Sequence, residues 1–273
     1  MYITVIGQSQ SVMQPQASKS QLLGAYSLKL VDVYSTRTNS ASLAQLSGTA
    51  AAVYGERRFL IQELNLFTAS FGLVTQSGNF GAHVSYFGSA ASNQTQYTLA
   101  YGRAVTDKID VGAGFYLQQI NQGGYYGKSS AVTGSVGFLL HLTDKIHTGI
   151  NVFNPIRAAY GKDKMERLPA QYSFGMGYEA SEKLFVSAEL VKEEDQNINV
   201  NVGFQYQPIK QLFIRAGITT QTTSYYASIG FNLKSFRLDI ASNYHAQLGI
   251  TPAIMLLFAF GKNVDTSVSN PPQ

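Results

Sequence analysis

The sequence predicts an all-β protein: a transmembrane antiparallel β-barrel of about 14 strands, with a short N-terminal helical segment plugging the lumen. Three observations predict it. Beyond residue 49, apolar and polar residues alternate with a period of two. Ile198, Val200, Val202, Phe204 and Tyr206 share one face, and Asn199, Asn201, Gly203 and Gln205 share the other. Charged residues make up only 13% of the chain while hydrophobic ones reach 45%. A soluble β protein of this size needs more surface charge; a barrel in lipid needs it only in the lumen and at the rims. Finally, the connections alternate between tight turns and more varied loops.

Composition narrows the class further. No stretch approaches the ~20 apolar residues of a membrane helix. The 17 Tyr and 16 Phe suit aromatic girdles, although Trp is absent. The net charge of +4 is spread along the chain without a Lys/Arg block, which argues against a nucleic-acid partner. The absence of cysteine excludes disulfides, thiolate metal sites and cysteine catalysis, and is compatible with export.

In order, Met1 to Ile6 reads either as the tail of a truncated export signal or as a frayed terminus, and the need for export favours the former. Residues 8–20 are polar and low in complexity, a linker. Residues 1–20 are thus signal and linker, and 21–48 form a lumen or plug segment. Within the plug, Leu22, Leu23, Tyr26, Leu30, Val33 and Tyr34 recur at helical spacing and predict one short helix over 21–35. The barrel spans 49–261, with strands at 49–56, 63–74, 79–88, 95–105, 109–120, 129–142, 145–153, 169–179, 183–193, 197–207, 211–220, 223–233, 235–245 and 251–261. Residues 262–273 form a polar periplasmic tail.

Turn chemistry orients the strands. Tight turns fall at 76–79, 106–108, 143–145, 180–183, 207–210 and 234–235, and more varied connections, two of them very short, at 57–62, 88–94, 121–128, 154–168, 194–196, 221–222 and 246–250. An even strand count puts both termini and the tight turns on the periplasmic side. Ile109, Val111, Phe115, Ile214, Ile229 and Phe231 should face lipid, while Asp110, Glu189, Arg215, Arg237, Asp239 and Asn243 face inward. Glycines gather on the inward face, at 112, 114, 137, 149, 175, 177, 203, 217 and 230. Strand glycine marks curvature or the close approach of another backbone; its repetition here points to a filled lumen.

At this point the chain resembles the FadL-like outer-membrane barrels, including the PorV-type subfamily of Bacteroidota. The resemblance rests on an N-terminal lumen segment, then Asn39-Ser40-Ala41-Ser42-Leu43-Ala44 in place of an Asn-Pro-Ala-x-Leu-Ala-like motif, then about fourteen strands. Serine at position 40 replaces the usual proline. The resemblance implies an integral outer-membrane location and either of two roles: passage of a small hydrophobic molecule, or a non-transporting accessory barrel docked on a larger outer-membrane or type IX secretion complex.

Candidate lumen or ligand residues are Tyr26, Leu30, Asn39, His83, Arg215, Arg237 and Asp239. Ionisable groups inside a barrel mark a permeation path or pair with a plug; Asp32 and Arg37 are the expected plug partners of Arg215, Arg237 and Asp239. Candidate partner-facing residues in the outer loops are Tyr125, Tyr126, Arg157, Lys162, Lys164 and Arg167, a set suited to lipopolysaccharide phosphates or a protein partner. All four histidines fall at inward positions. His141 and His147, flanking one tight turn, read as half a metal site or as polar lining, and the second reading is preferred. The acidic turn 192–195 reads as a solvated hairpin tip before a calcium site. No nucleophile elbow, phosphate-binding loop, dinucleotide fingerprint or HExxH is present, so neither an enzyme nor a cofactor is expected.

Overall fold

Alternation becomes a closed wall. The computed structural model describes residues 13–122, 127–161, 166–221 and 223–260. Fourteen strands form the barrel: β1 Ala50–Arg57, β2 Asn65–Leu73, β3 Asn79–Gly88, β4 Asn93–Thr106, β5 Ile109–Asn121, β6 Lys128–His141 and β7 Ile146–Phe153. They continue as β8 Gln171–Glu179, β9 Leu184–Glu193, β10 Asn199–Ile209, β11 Leu212–Thr219, β12 Ser224–Leu233, β13 Phe236–His245 and β14 Gly249–Ala259. Each strand pairs antiparallel with its neighbour in sequence. β1 closes the ring on β14, from Ala50↔Ala259 to Glu56↔Ala253, so no sheet edge is left open.

The period of two separates the faces as expected. Along β5, Asp110, Gly112, Gly114, Tyr116 and Gln118 point inward and are buried, while Val111 and Phe115 point outward and are exposed. An outward belt of large apolar side chains runs round the barrel, including Phe67, Phe115, Val136, Tyr225 and Ile254. These residues are stable there only against an apolar solvent. Tight turns gather at one end, termed the turn end, and the longer connections at the loop end.

The plug departs from the predicted single helix. Residues Lys19–Leu22 make one α-turn, followed by 3-10 turns at Leu23–Tyr26, Ser35–Arg37 and Ser40–Gln45. Local side-chain hydrogen bonds interrupt the segment between turns. The Ser27 hydroxyl accepts from the backbone N–H groups of Lys29 and Leu30, and the Asp32 carboxylate from those of Tyr34 and Ser35. The apolar spacing over 21–35 reflects burial on all sides, not one helical stripe. The packed segment also begins earlier than residue 21, since Met13, Ala17 and Ser18 of the expected linker are fully or almost fully buried.

The described parts of the longest loop, 154–161 and 166–170, pack against the barrel. Asn154, buried and at φ 53°, accepts from the Thr133 hydroxyl and the Ala158 N–H and donates to the Leu168 carbonyl. A short ladder pairs Ala159–Tyr160 with Glu166–Arg167. Tyr160 and Leu168 then pack with Tyr116, Ile120, Ala131 and Phe153.

Candidate functional site: the plugged lumen

The plug runs down the lumen, back up and down again. Residues 13–18 lie near the loop end, where the Glu56 carboxylate accepts from the N–H groups of Gln16 and Ala17, and Arg58 donates to the Gln14 carbonyl. Residues 27–29 reach the turn end, where Glu179 accepts from the Ser27 hydroxyl at 2.7 Å and from the Leu28 and Lys29 N–H groups. The chain rises to Arg37 and descends again through the turn Ser40–Gln45 into β1.

Inward glycines are the seats of this plug. A Cβ on Gly137 would lie 2.0 Å from Asn39 Oδ1, and one on Gly112 2.3 Å from Ala41 N. With no side chain there, Asn39 reaches the wall and donates to the Phe138 and Ile150 carbonyls at 3.3 and 3.1 Å, while its Oδ1 accepts from Ala41 N–H. Asn39 therefore caps the turn and clamps it to the barrel. At Gly175 and Gly177 the seat takes Tyr26, whose ring and carbonyl each lie 2.0 Å from the would-be Cβ atoms. The Tyr26 hydroxyl donates to Glu189 at 2.8 Å. Burial, reinforced by the Glu189 carboxylate, pushes this phenol well above the ordinary tyrosine range, so it remains a donor.

The predicted ionic set is assembled, with one change. Arg237 contacts Asp32 of the plug and Asp239 of the wall, Arg215 contacts Asp239, and Gln21 donates to Asp239 at 3.0 Å. Arg37 does not join this group. It donates to Thr68 and Ser85 on β2 and β3 and to the Met13 carbonyl, on the far side of the plug. The reversal between Asp32 and Arg37 separates them, and spacing in sequence carries no trace of that. His83 is buried on β3 with Nδ1 3.0 Å from the Ser70 hydroxyl, and it borders a small cavity shared with Arg37, Gln96 and Asn151. Leu30 lies at the turn end beside a recess of about 30 Å³ with Glu179 and Phe185, away from the central lumen.

A larger cavity of about 160 Å³ opens on the loop side of the plug, lined by Lys19, Leu22, Glu189, Asn199, Asn201 and Gln221 among others. It shares no lining residue with the turn-end recess. Its walls are mostly amide and charged groups. Burial lowers the Lys19 amine to about 8, against the opposing pull of Glu189.

The outer-loop residues fare differently. Tyr125, Tyr126, Lys162 and Lys164 lie outside the described residues. Arg157 is exposed and pairs with Glu194 of the acidic turn at 3.1 Å, and Arg167 is exposed within the short ladder. Glu193 of the same turn faces inward and is buried. His245 sits at the rim, where Nδ1 accepts from the Gln247 and Leu248 N–H groups. Two wall residues of consequence were not singled out from sequence. Glu179 was recoverable from its inward parity alone; Tyr226 shares the inward parity of other tyrosines and carried no distinguishing signal.

No protein-family model matches the chain, and no curated protein matches it. Solved structures do. The Pseudomonas putida toluene transporter TodX superimposes with a TM-score of 0.64 at 11% identity, covering 93% of this chain and 98% of that one. The Ralstonia pickettii toluene transporter TbuX gives 0.59 at 13% identity, covering 84% and 94%. A Pseudomonas aeruginosa FadL homologue gives 0.56 at 13% identity, covering 92% and 96%. The chain has the fold of these barrels. At such low identity the likeness is one of fold alone, and the lumen chemistry must be read from this chain's own residues.

Proposed function

We propose that this protein is an integral outer-membrane barrel that passes a small hydrophobic molecule from the lipid face toward its lumen. The observation that carries the reading is a thin place in the wall. On the outer surface, Leu184, Val186, Val202, Phe204, Ala216 and Ile218 form an apolar trough whose floor includes Gly203 and Gly217, a cross-strand pair of β10 and β11. Behind them lies the Tyr226 phenol, whose hydroxyl would sit 2.9 and 2.3 Å from Cβ atoms added at these two glycines and donates to the Val202 carbonyl at 2.8 Å. At this place the wall is paired backbone without side chains on its inner face, backed by Tyr226 and by Leu23 of the plug. Barrels of this fold titled as toluene transporters support a hydrophobic cargo.

The alternative, an accessory barrel docked on a larger outer-membrane or secretion complex, draws on the plugged lumen alone. The plug does not favour it, because the fold is shared with proteins titled as transporters. The test is the initial rate of radiolabelled toluene uptake by cells with an intact lipopolysaccharide layer. Expression should raise that rate severalfold, and Ala216→Trp, which fills the trough, should abolish the gain while the barrel keeps its heat-modifiable gel mobility. Uptake no faster than in vector controls would refute the proposal.

A further inference from the structure

Four buried ionisable side chains stand in a row at the turn end of the lumen, and both ends of the row hold the plug. Asp110 Oδ2 lies 2.8 Å from His141 Nε2, His141 Nδ1 lies 3.1 Å from His147 Nδ1, and His147 Nε2 lies 3.7 Å from Glu179 Oε1. The strands set this geometry: His141 and His147 are a register pair of β6 and β7, Asp110 is on β5 and Glu179 on β8. The outer members grip the plug. Gln45 Nε2 donates to Asp110 at 2.6 Å, and Glu179 accepts from Ser27, Leu28 and Lys29. Among the described residues, the charged groups around the row are the Lys29 ammonium, 3.5 Å from Glu179, and Glu182, 3.2 Å from that ammonium, with Asp107, Lys108, Asp144, Lys145 and Lys183 in the adjoining turns.

Counting protons shows what the row tolerates. The contact with Asp110 requires a proton on His141 Nε2, since a bare ring nitrogen and a carboxylate oxygen repel. The gap between the two Nδ1 atoms requires one proton: with none, two lone pairs face each other, and with two, two N–H bonds collide. His147 Nε2 takes a third, directed at Glu179. Four ring nitrogens thus accommodate at most three N–H groups, that is, one imidazolium beside one neutral ring. A fourth has no room, and it would also place two imidazolium charges in contact.

We propose that His141 and His147 form a proton-operated latch under the plug. Acid adds the fourth proton, one ring swings out of the row, and the carboxylate it leaves loses its hold on Gln45 or on Ser27 and Lys29. The base of the plug then comes free of the wall. The latch is independent of the cargo, so its test does not depend on the uptake experiment above.

The full-length protein is reconstituted in planar bilayers and its conductance recorded from pH 7.5 to pH 4.5. We expect open probability to rise about tenfold across that range, a change that needs only a modest bias between two states. His147→Gln should flatten the profile. A reducible bis-maleimide bridge between Lys29→Cys and Glu182→Cys, whose side-chain tips meet in the native chain, should hold the plug shut in acid until reduced, there being no other cysteine to label. No rise in the wild-type protein, the same rise in His147→Gln, or a rise in the bridged form would each overturn the latch; the bridge decides the matter if the histidine variant fails to fold.

Discussion

Arg237 on the barrel wall meets Asp32 of the plug through a direct guanidinium–carboxylate contact that bridges 205 positions of sequence. Both side chains are almost fully buried, at 5% and 10% exposure. Arg237 also holds Asp239, which in turn holds Arg215 and Gln21. The contact ties the ascending limb of the plug to β13 and gives the plug a defined rotation inside the ring.

Breaking the pair from the plug side should loosen the plug without unfolding the barrel. Asp32→Asn leaves a buried guanidinium with one carboxylate fewer, a change worth about 3 kcal/mol. The expected result is faster trypsin cleavage after Lys19, Lys29 and Arg37, with the barrel's heat-modifiable mobility retained.

The same pair sets an expectation for pH. Burial opposes ionisation of Asp32, but Arg237 and the Ser35 N–H outweigh it, and the carboxyl lies below its usual 3.8. A depressed carboxyl stabilises fully above the ordinary value, and its contribution is lost only as pH falls through the lower folded one. The Asp32 tether should therefore hold at pH 5, so trypsin sensitivity appearing between pH 7.5 and 5 would come from the histidine row. Loss of protection in that range in a His147→Gln protein would contradict this division.

Lys19 gives the same slope in a different window, as a buried cation whose cost is relieved when it loses its proton. Its amine, lowered to about 8 by burial, releases its proton earlier in the folded protein than in the unfolded chain. Between about 8 and the ordinary 10.5 the unfolded chain binds more protons, so this residue's contribution to stability rises with pH across that window. Carbon-13 methyl labelling of lysines should show one titration midpoint near 8, which disappears in Lys19→Met.

Glycine seats should be intolerant in a graded way. Gly112→Ala places a methyl 2.3 Å from the Ala41 N and Ser40 C atoms, both backbone, which cannot move aside separately. Overpacking of this kind costs about 1–3 kcal/mol, enough to unseat the turn Ser40–Gln45 and raise basal conductance. Gly48→Ala meets nothing within 4 Å and serves as the neutral control.

Tyr26→Phe should raise conductance less than Tyr26→Ala. The first removes a hydrogen bond to a buried carboxylate, worth ~1.5–3 kcal/mol, and leaves Glu189 to Asn201. The second also empties the seat at Gly175 and Gly177. Equal conductance of the two variants would mean that the ring plays no part in closure.

Much of this protein was written in residue order. A period of two in two solvents dictates strands and their faces, and turn residues place their ends, so the fourteen strands, their parity and the inward set Asp110, Glu189, Arg215, Arg237 and Asp239 were all legible. Glycine at inward positions foretold a filled lumen, because each position concerns only its own strand and whatever approaches it. The path of the plug was not legible. Ser27 and Asp32 break its helix through side-chain hydrogen bonds that compete with helical ones by small margins. Burial on every side then erases the amphipathic signal that spacing would otherwise provide. Tertiary structure alone decided that Asp32 finds Arg237 while Arg37 finds Thr68 and Ser85, that Glu179 lies beside His147, and that Tyr226 backs Gly203 and Gly217. These contacts arise from closing the ring and folding one irregular segment inside it, and a one-dimensional pattern holds no record of which residues then face one another across the lumen.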